Sequence, residues 1–259
     1  MVIPSKKKDV IQLLKRIDKK LSEEVIIYLL GGGAMALRGI KDSTIDLDFV
    51  VIKKRNYVAL KKAIEKIGYK LDETSYDSRI YKNAVILFNK GSSRIDIFVK
   101  SIVGMLDFTK EMEKRAEILE EFDKLRIKLA SNEDIFLLKS LSDRDKDIID
   151  CRTLLLTGLK SDIIVKERIT QHREDIKWIF WLYEMICRLQ NRYSHLRIRF
   201  KTKVWQECRK NWKYKPKNFM KDIGKLETHI KEKKFRDNVE EDLKGRKYHY
   251  RHELLRELC

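Results

Sequence analysis

The stretch IDLDFVVI, residues 45–52, sets two aspartates inside an apolar run that reads as a strand. Side chains alternate along a strand, so Asp46 and Asp48 share one face while Ile45, Leu47 and Phe49 point into the core. Two carboxylates about 7 Å apart on one face repel each other and resist desolvation, so water, a basic partner or a bound cation must compensate. Any fold must keep one side of this strand dry and leave the other charged. Mg²⁺ suits such a face, because it takes carboxylate and phosphate oxygens, and two such ions can grip both sides of a phosphoryl transfer.

The neighbouring segments extend the pattern. EVIIYLL (24–30) is a β-rich apolar run that stops at Gly31, Gly32 and Gly33, read here as a turn before a short helix over AMALRG. A flexible turn directly after a strand lets backbone N–H groups come close to phosphates, although a plain tight turn uses the same residues. It is neither a Walker loop, since no GK[ST] follows, nor a GxGxxG fingerprint. SRIDIFV (93–99) places Asp96 between Ile95 and Ile97 in a second strand. If that strand neighbours the first with Asp96 on the same face, three carboxylates converge; otherwise Asp96 sits on a solvated sheet face.

Around these runs the spacing predicts helices over 7–20, 55–67 (ending at Gly68), 105–114 and 143–157. It also predicts a hairpin of 83–89 with 93–99 across KGS, and a second hairpin over EILEEFDKLRIKLA (117–130). Ser131 is placed to N-cap a helix beginning NEDIFLLKSL, with Asp134 as an imperfect capping-box partner. Beyond Gly158 the pattern is helical. The expected organisation is therefore an α+β domain over 1–157 and a helical, strongly basic domain over 158–259.

The net charge of +18 is uneven. Residues 1–150 hold 30 Lys+Arg against 25 Asp+Glu, whereas residues 151–259 hold 28 against 15 together with Trp178, Trp181, Trp205 and Trp212. A basic region with aromatics suits RNA through counterion release and stacking; a Lys-rich solubilising surface is the alternative. Cys151, Cys187, Cys208 and Cys259 lie far apart without a CxxC pair, which suggests neither a zinc site nor a disulfide framework. His172, His195, His229, His249 and His252 show no clear metal-ligand partner and read as packing or surface residues. The longest uncharged apolar stretch, 25–37, is too short to span a bilayer, and the charged N-terminus does not fit a signal peptide. A soluble, cytoplasmic protein is expected.

The spacing of Gly32–Gly33, twelve residues, Asp46-x-Asp48 and the later Asp96 resembles the nucleotidyltransferase superfamily with the DNA polymerase β-like fold. Within it the chain looks like the minimal prokaryotic branch that includes AbiE-type toxin nucleotidyltransferases. LASNEDIFLLKSLSDRDKDIIDC (129–151) is similar to a helix pair of that branch, and the resemblance covers roughly residues 10–157. It implies a mixed sheet with flanking helices. It also implies that Asp46, Asp48 and Asp96 bind two Mg²⁺ ions and carry catalysis, with an NTP as co-substrate. Gly31, Gly32, Gly33, Thr44, Lys139, Arg144 and Lys146 match nucleotide-binding positions, although Lys139 and Lys146 also suit a solvated helix face. Asp147 and Asp150 match acidic positions that orient the helix by ion pairs. The family's Arg-x-Thr is here Asp42-Ser43-Thr44, so the arginine is missing and Lys41 or Arg38 would have to serve.

The reaction implied is attack of an acceptor hydroxyl on the α-phosphate of an NTP, releasing pyrophosphate. Three readings of the acceptor and role stay open. They are RNA, with a tRNA 3′ end foremost; a small molecule or protein, including a toxin or antitoxin partner; and a non-catalytic nucleotide-binding or partner-binding module.

Overall fold

The computed structural model describes residues 7–44, 46–72, 86–102, 106–142, 144–172 and a few positions between 182 and 193. The chain divides into two compact units, residues 1–160 and 161–259.

The first unit is built on a seven-stranded mixed sheet with strand order β3-β4-β5-β2-β1-β9-β8. Its central strands are β1 (Val25–Leu30), β2 (Asp46–Val51), β5 (Ser93–Val99) and β9 (Leu125–Leu129). β1 runs antiparallel to β2 and parallel to β9, while β2 runs parallel to β5. The edges are hairpin arms: β4 (Ile86–Lys90) on β5, with β3 (Lys70–Leu71) beyond it, and β8 (Glu117–Glu121) on β9.

Register partners share a sheet face, so the pairings sort the strand residues into two sets. One set is Ile27 and Leu29, Leu47 and Phe49, Ile95 and Ile97, Phe88, and Leu125 and Ile127. All of these are buried. This face is the core. It is covered by α1 (Lys7–Asp18), which buries Val10, Leu14 and Ile17, and by α3 (Lys54–Lys66), which buries Ala59, Leu60, Ala63 and Ile64. The other face carries Tyr28, Asp46, Asp48, Arg94, Asp96 and Lys128, a set no core accepts without compensation.

Both expected hairpins form, the first from Ile86 onward, with residues 83–85 lying outside the described ones. Two expectations are corrected. The helix expected over 105–114 starts only at Lys110, as α4 (Lys110–Arg115), because the Thr109 hydroxyl caps it by accepting the Met112 N–H at 3.2 Å. The residues before it pair as a small ribbon, β6 (Ser101–Ile102) with β7 (Leu106–Asp107). The glycines do not form a separate turn: α2 (Gly31–Leu37) follows β1 at once, and the three glycines are its first turn. The short strand β3 was not foreseen, since two residues carry no periodicity.

Two helices close the unit, α5 (Asn132–Lys139) and α6 (Asp145–Leu156). Ser131 caps α5 as its sequence suggests: its hydroxyl accepts the Asp134 N–H at 3.2 Å and donates to Asp134 Oδ2 at 2.8 Å. Arg115 then holds the same buried carboxylate at 2.7 Å, fastening α4 to the start of α5. In the second unit, α7 (Ser161–His172) buries Ile164, Val165 and Arg168. The four tryptophans, four of the five histidines and Cys187, Cys208 and Cys259 lie outside the described residues. No helix among the described residues is long and apolar enough to cross a membrane.

Because Ser131 satisfies both a helix-end N–H and the buried Asp134, Ser131→Ala should cost about 1–2 kcal/mol, measured by urea unfolding. Ser131→Thr should recover most of that loss.

Candidate active site

In the parallel register of β2 with β5, Asp46 lies opposite Arg94 and Asp48 lies opposite Asp96. The three carboxylates therefore share one face in the middle of the sheet, with Leu47 and Phe49 buried beneath them. Asp46 and Asp48 are half-buried and Asp96 is buried. Burial pushes the Asp48 carboxyl above its usual range; Lys139 opposes that rise and Asp46 adds to it. Burial likewise pushes Asp96 up to about 7, with Asp48 adding to the shift and Arg94 opposing it.

Arg94 is a residue that pattern reading passed over. Its Nε and Nη2 donate to the two oxygens of Asp96 at 2.6 and 2.5 Å, a two-pronged ion pair across one turn of the pleat. The signal was present in SRIDIFV, since a residue two places before Asp96 must share its face. The direction of its side chain has no such signal. Among the described residues no three ligands are already gathered to metal-binding distance, and the Arg94 clasp on both Asp96 oxygens fits that arrangement. The donor set itself is hard oxygen, which suits Mg²⁺.

The glycines fit against this face in three different ways. Gly31 has φ +57, and a β-carbon there would lie 2.2 Å from Asp48 Oδ2, so the helix start rests directly on that carboxylate. A β-carbon on Gly32 would meet Thr44 Oγ1 at 3.0 Å and Lys41 Nζ at 3.8 Å. One on Gly33 would strike Leu47 Cδ2 at 2.9 Å on the core side. Gly33 thus serves packing, whereas Gly31 and Gly32 keep the site side open. Thr44 is buried and donates to the Asp46 backbone carbonyl at 2.8 Å, which fixes the entry into β2.

The basic residues divide. Lys139 is buried, with Nζ 2.6 Å from Asp147 Oδ1 and 2.9 Å from Asp150 Oδ2. Burial alone would lower the Lys139 ammonium, but Asp147 and Asp150 outweigh it and hold it above its usual value. Asp147 is held low because Lys139 outweighs the opposing effect of burial. Arg144 donates to the same carboxylate at 2.7 Å from its exposed place at the N-cap of α6. Lys146 is exposed in the first turn of α6. Of the two substitutes for the missing arginine, Lys41 stands beside Gly32 and pairs with Asp150 at 2.8 Å. Arg38 turns away to Glu117 and the Leu129 carbonyl.

A family model described as nucleotidyltransferase of unknown function (DUF6036) matches residues 6–213, and the chain belongs to that family. It is a nucleotidyltransferase, with the α+β mixed sheet and flanking helices expected of that superfamily. No curated protein matches the sequence. Among solved structures, the chain is similar to the solution structure of the antibiotic-resistance factor ANT(2'')-Ia, at 14% identity and a TM-score of 0.43, over 73% of this chain and 100% of that one. It is also similar to a Thermotoga maritima protein classed as a nucleotidyltransferase, at 14% identity and a TM-score of 0.39, over 59% of this chain and 96% of that one.

Asp96 has a pH consequence. An exposed carboxyl titrates near 4, so between about 4 and about 7 the folded chain keeps a proton that the unfolded chain releases. Stability in metal-free buffer should therefore fall as pH rises through that window. Thermal midpoints against pH should show this slope in the wild type and a flatter one in Asp96→Asn.

Proposed function

We propose that the chain transfers a nucleoside monophosphate from an NTP to an acceptor hydroxyl with Mg²⁺, and that the acceptor is RNA. The observation that carries the transfer chemistry is the register of Asp48 against Asp96, with Asp46 on the same face and Gly31 against the Asp48 carboxylate.

Asp46, Asp48 and Asp96 would hold Mg²⁺, which supplies neutralisation of phosphate charge when bound. Asp96 gains an oxygen for that purpose as Arg94 releases one, and the freed guanidinium remains beside the phosphates. Gly31 and Gly32 admit the triphosphate close to the backbone, since neither carries a side chain on that side. Lys41, Lys139, Arg144 and Lys146 supply positive charge around it. Lys139 acts from within its carboxylate pair, lowering the cost of negative charge at Asp48. Rate acceleration then rests on in-line positioning and electrostatic stabilisation.

The choice of RNA is supported by the excess of 28 Lys+Arg over 15 Asp+Glu in residues 151–259. Residues 158–259 form, in this reading, a separate basic domain. A protein or small-molecule acceptor, in a toxin–antitoxin or resistance setting, is the second reading. Incubation with total RNA, Mg²⁺ and each labelled NTP separates them by whether label enters an RNA band, a protein band or neither.

Asp48→Asn should reduce transfer at least about 1,000-fold with little change in thermal midpoint, since it removes a transition-state contact and relieves a charge. An undiminished rate in that variant would exclude the carboxylate face as the reaction centre.

A further inference from the structure

The positive charge of the first unit is concentrated in one layer. Within residues 1–150, the segments 7–20 and 53–70 hold 13 Lys+Arg and only three acids, Asp9, Asp18 and Glu65. The rest of 1–150 holds 17 Lys+Arg against 22 Asp+Glu. These two segments are α1 and α3 with their flanks, and the helices pack on each other, with Arg16 reaching the Ile67 carbonyl at 3.4 Å. Asp18 is buried and accepts the N–H groups of Lys124 and Leu125, so it neutralises nothing at the surface. Twelve of the thirteen cations are exposed, and Lys61 is half-exposed and pairs with Glu65 at 3.9 Å.

This layer covers the apolar face of the sheet, whereas the carboxylates occupy the other face. It is therefore not the triphosphate site. Nor is it arranged for stability. α3 opens with Lys53, Lys54 and Arg55 and no acid in its first turn, against the sense of the helix dipole. Lys15 with Lys19, and Lys62 with Lys66, are like charges four residues apart, which repel. Elsewhere the chain alternates its charges, as in Arg126 with Glu121 and Lys114 with Glu111.

The chemistry of the partner follows from what the layer lacks. A protein interface has an apolar centre, and a helix lying on a membrane turns its apolar face outward. Here the apolar faces of both helices are spent on the sheet, and Val58 is the one large apolar side chain exposed on the layer among the described residues. What remains is a field of cations, which suits a chain of phosphates.

We propose that the α1–α3 layer docks the phosphate backbone of RNA, at a surface separate from the carboxylate site. The choice of RNA rests on the acceptor reading above; the docking surface itself does not.

The test uses the full chain and labelled total tRNA, with anisotropy followed across a salt titration. The reversal variant Lys54→Glu/Arg55→Glu/Lys62→Glu/Lys66→Glu is compared with a milder set carrying Gln at the same four positions. The expected result is affinity weakened at least about tenfold near 0.1 M salt. The slope of log affinity on log salt should become shallower by roughly 3, at about 0.9 for each phosphate that the variant no longer neutralises. ATP binding by calorimetry should not change. The thermal midpoint should hold or rise in the reversal variant, because Glu suits the first turn of α3.

Unchanged affinity and slope in both variants would overturn the proposal. So would anionic phospholipid vesicles that bind the wild type and lose it in the variants while tRNA binding stays constant. Tight, variant-sensitive tRNA binding without nucleotide transfer to RNA would remove RNA as the acceptor and leave the docking surface standing. Transfer to RNA with variant-insensitive binding would do the reverse.

Discussion

The site depends on one pairing, β2 alongside β5 in parallel with Asp48 opposite Asp96. That pairing is unfavourable for the charges it brings together, since each carboxylate raises the cost of ionising the other. It is held by the opposite face. A one-residue slip would turn Leu47, Phe49, Ile95 and Ile97 out of the core, and all four are fully buried. Burial of each large apolar side chain is worth roughly 1.5–3 kcal/mol, so together they outweigh a repulsion between partly hydrated carboxylates. The apolar face fixes the register, and the register creates the site.

Compensation for the concentrated negative charge comes from two directions. Arg94 meets Asp96 from within the same strand, and the α5–α6 pair brings Lys139 close enough to ease Asp48. Lys139 is itself fixed by Asp147 and Asp150, and Lys41 ties Asp150 to the loop that leads into β2. A buried network of this kind adds little net stability, because desolvation offsets much of the attraction. Its consequence is geometric: α5, α6 and the Lys41 loop share carboxylates, so they are fixed relative to one another beside the carboxylate face.

Much of this is legible from short-range pattern. Alternation places Asp46 and Asp48 on one face with Leu47 and Phe49 beneath, turn residues mark both hairpins, and Ser131 marks the start of α5. The differences are local as well. Three successive glycines read as a turn, yet they open α2, because Gly33 packs without a β-carbon against Leu47 and Leu29 while Gly31 adopts φ +57 against Asp48. The helix expected over 105–114 is too long because Thr109, which begins it, has no apolar periodicity to announce it.

The sequence by itself determined which residues could share a face, since the pleat and the helical repeat depend only on neighbours along the chain. It also determined the family, through the spacing of glycines and aspartates. Only the tertiary structure decided that β2 and β5 run parallel and that Arg94 clasps Asp96. It also decided that Lys41 rather than Arg38 stands beside the glycines, and that the cations of α1 and α3 gather on the back of the sheet. Each of these joins segments distant in sequence or selects among side-chain directions. Both follow from packing around a common core, which no local pattern encodes.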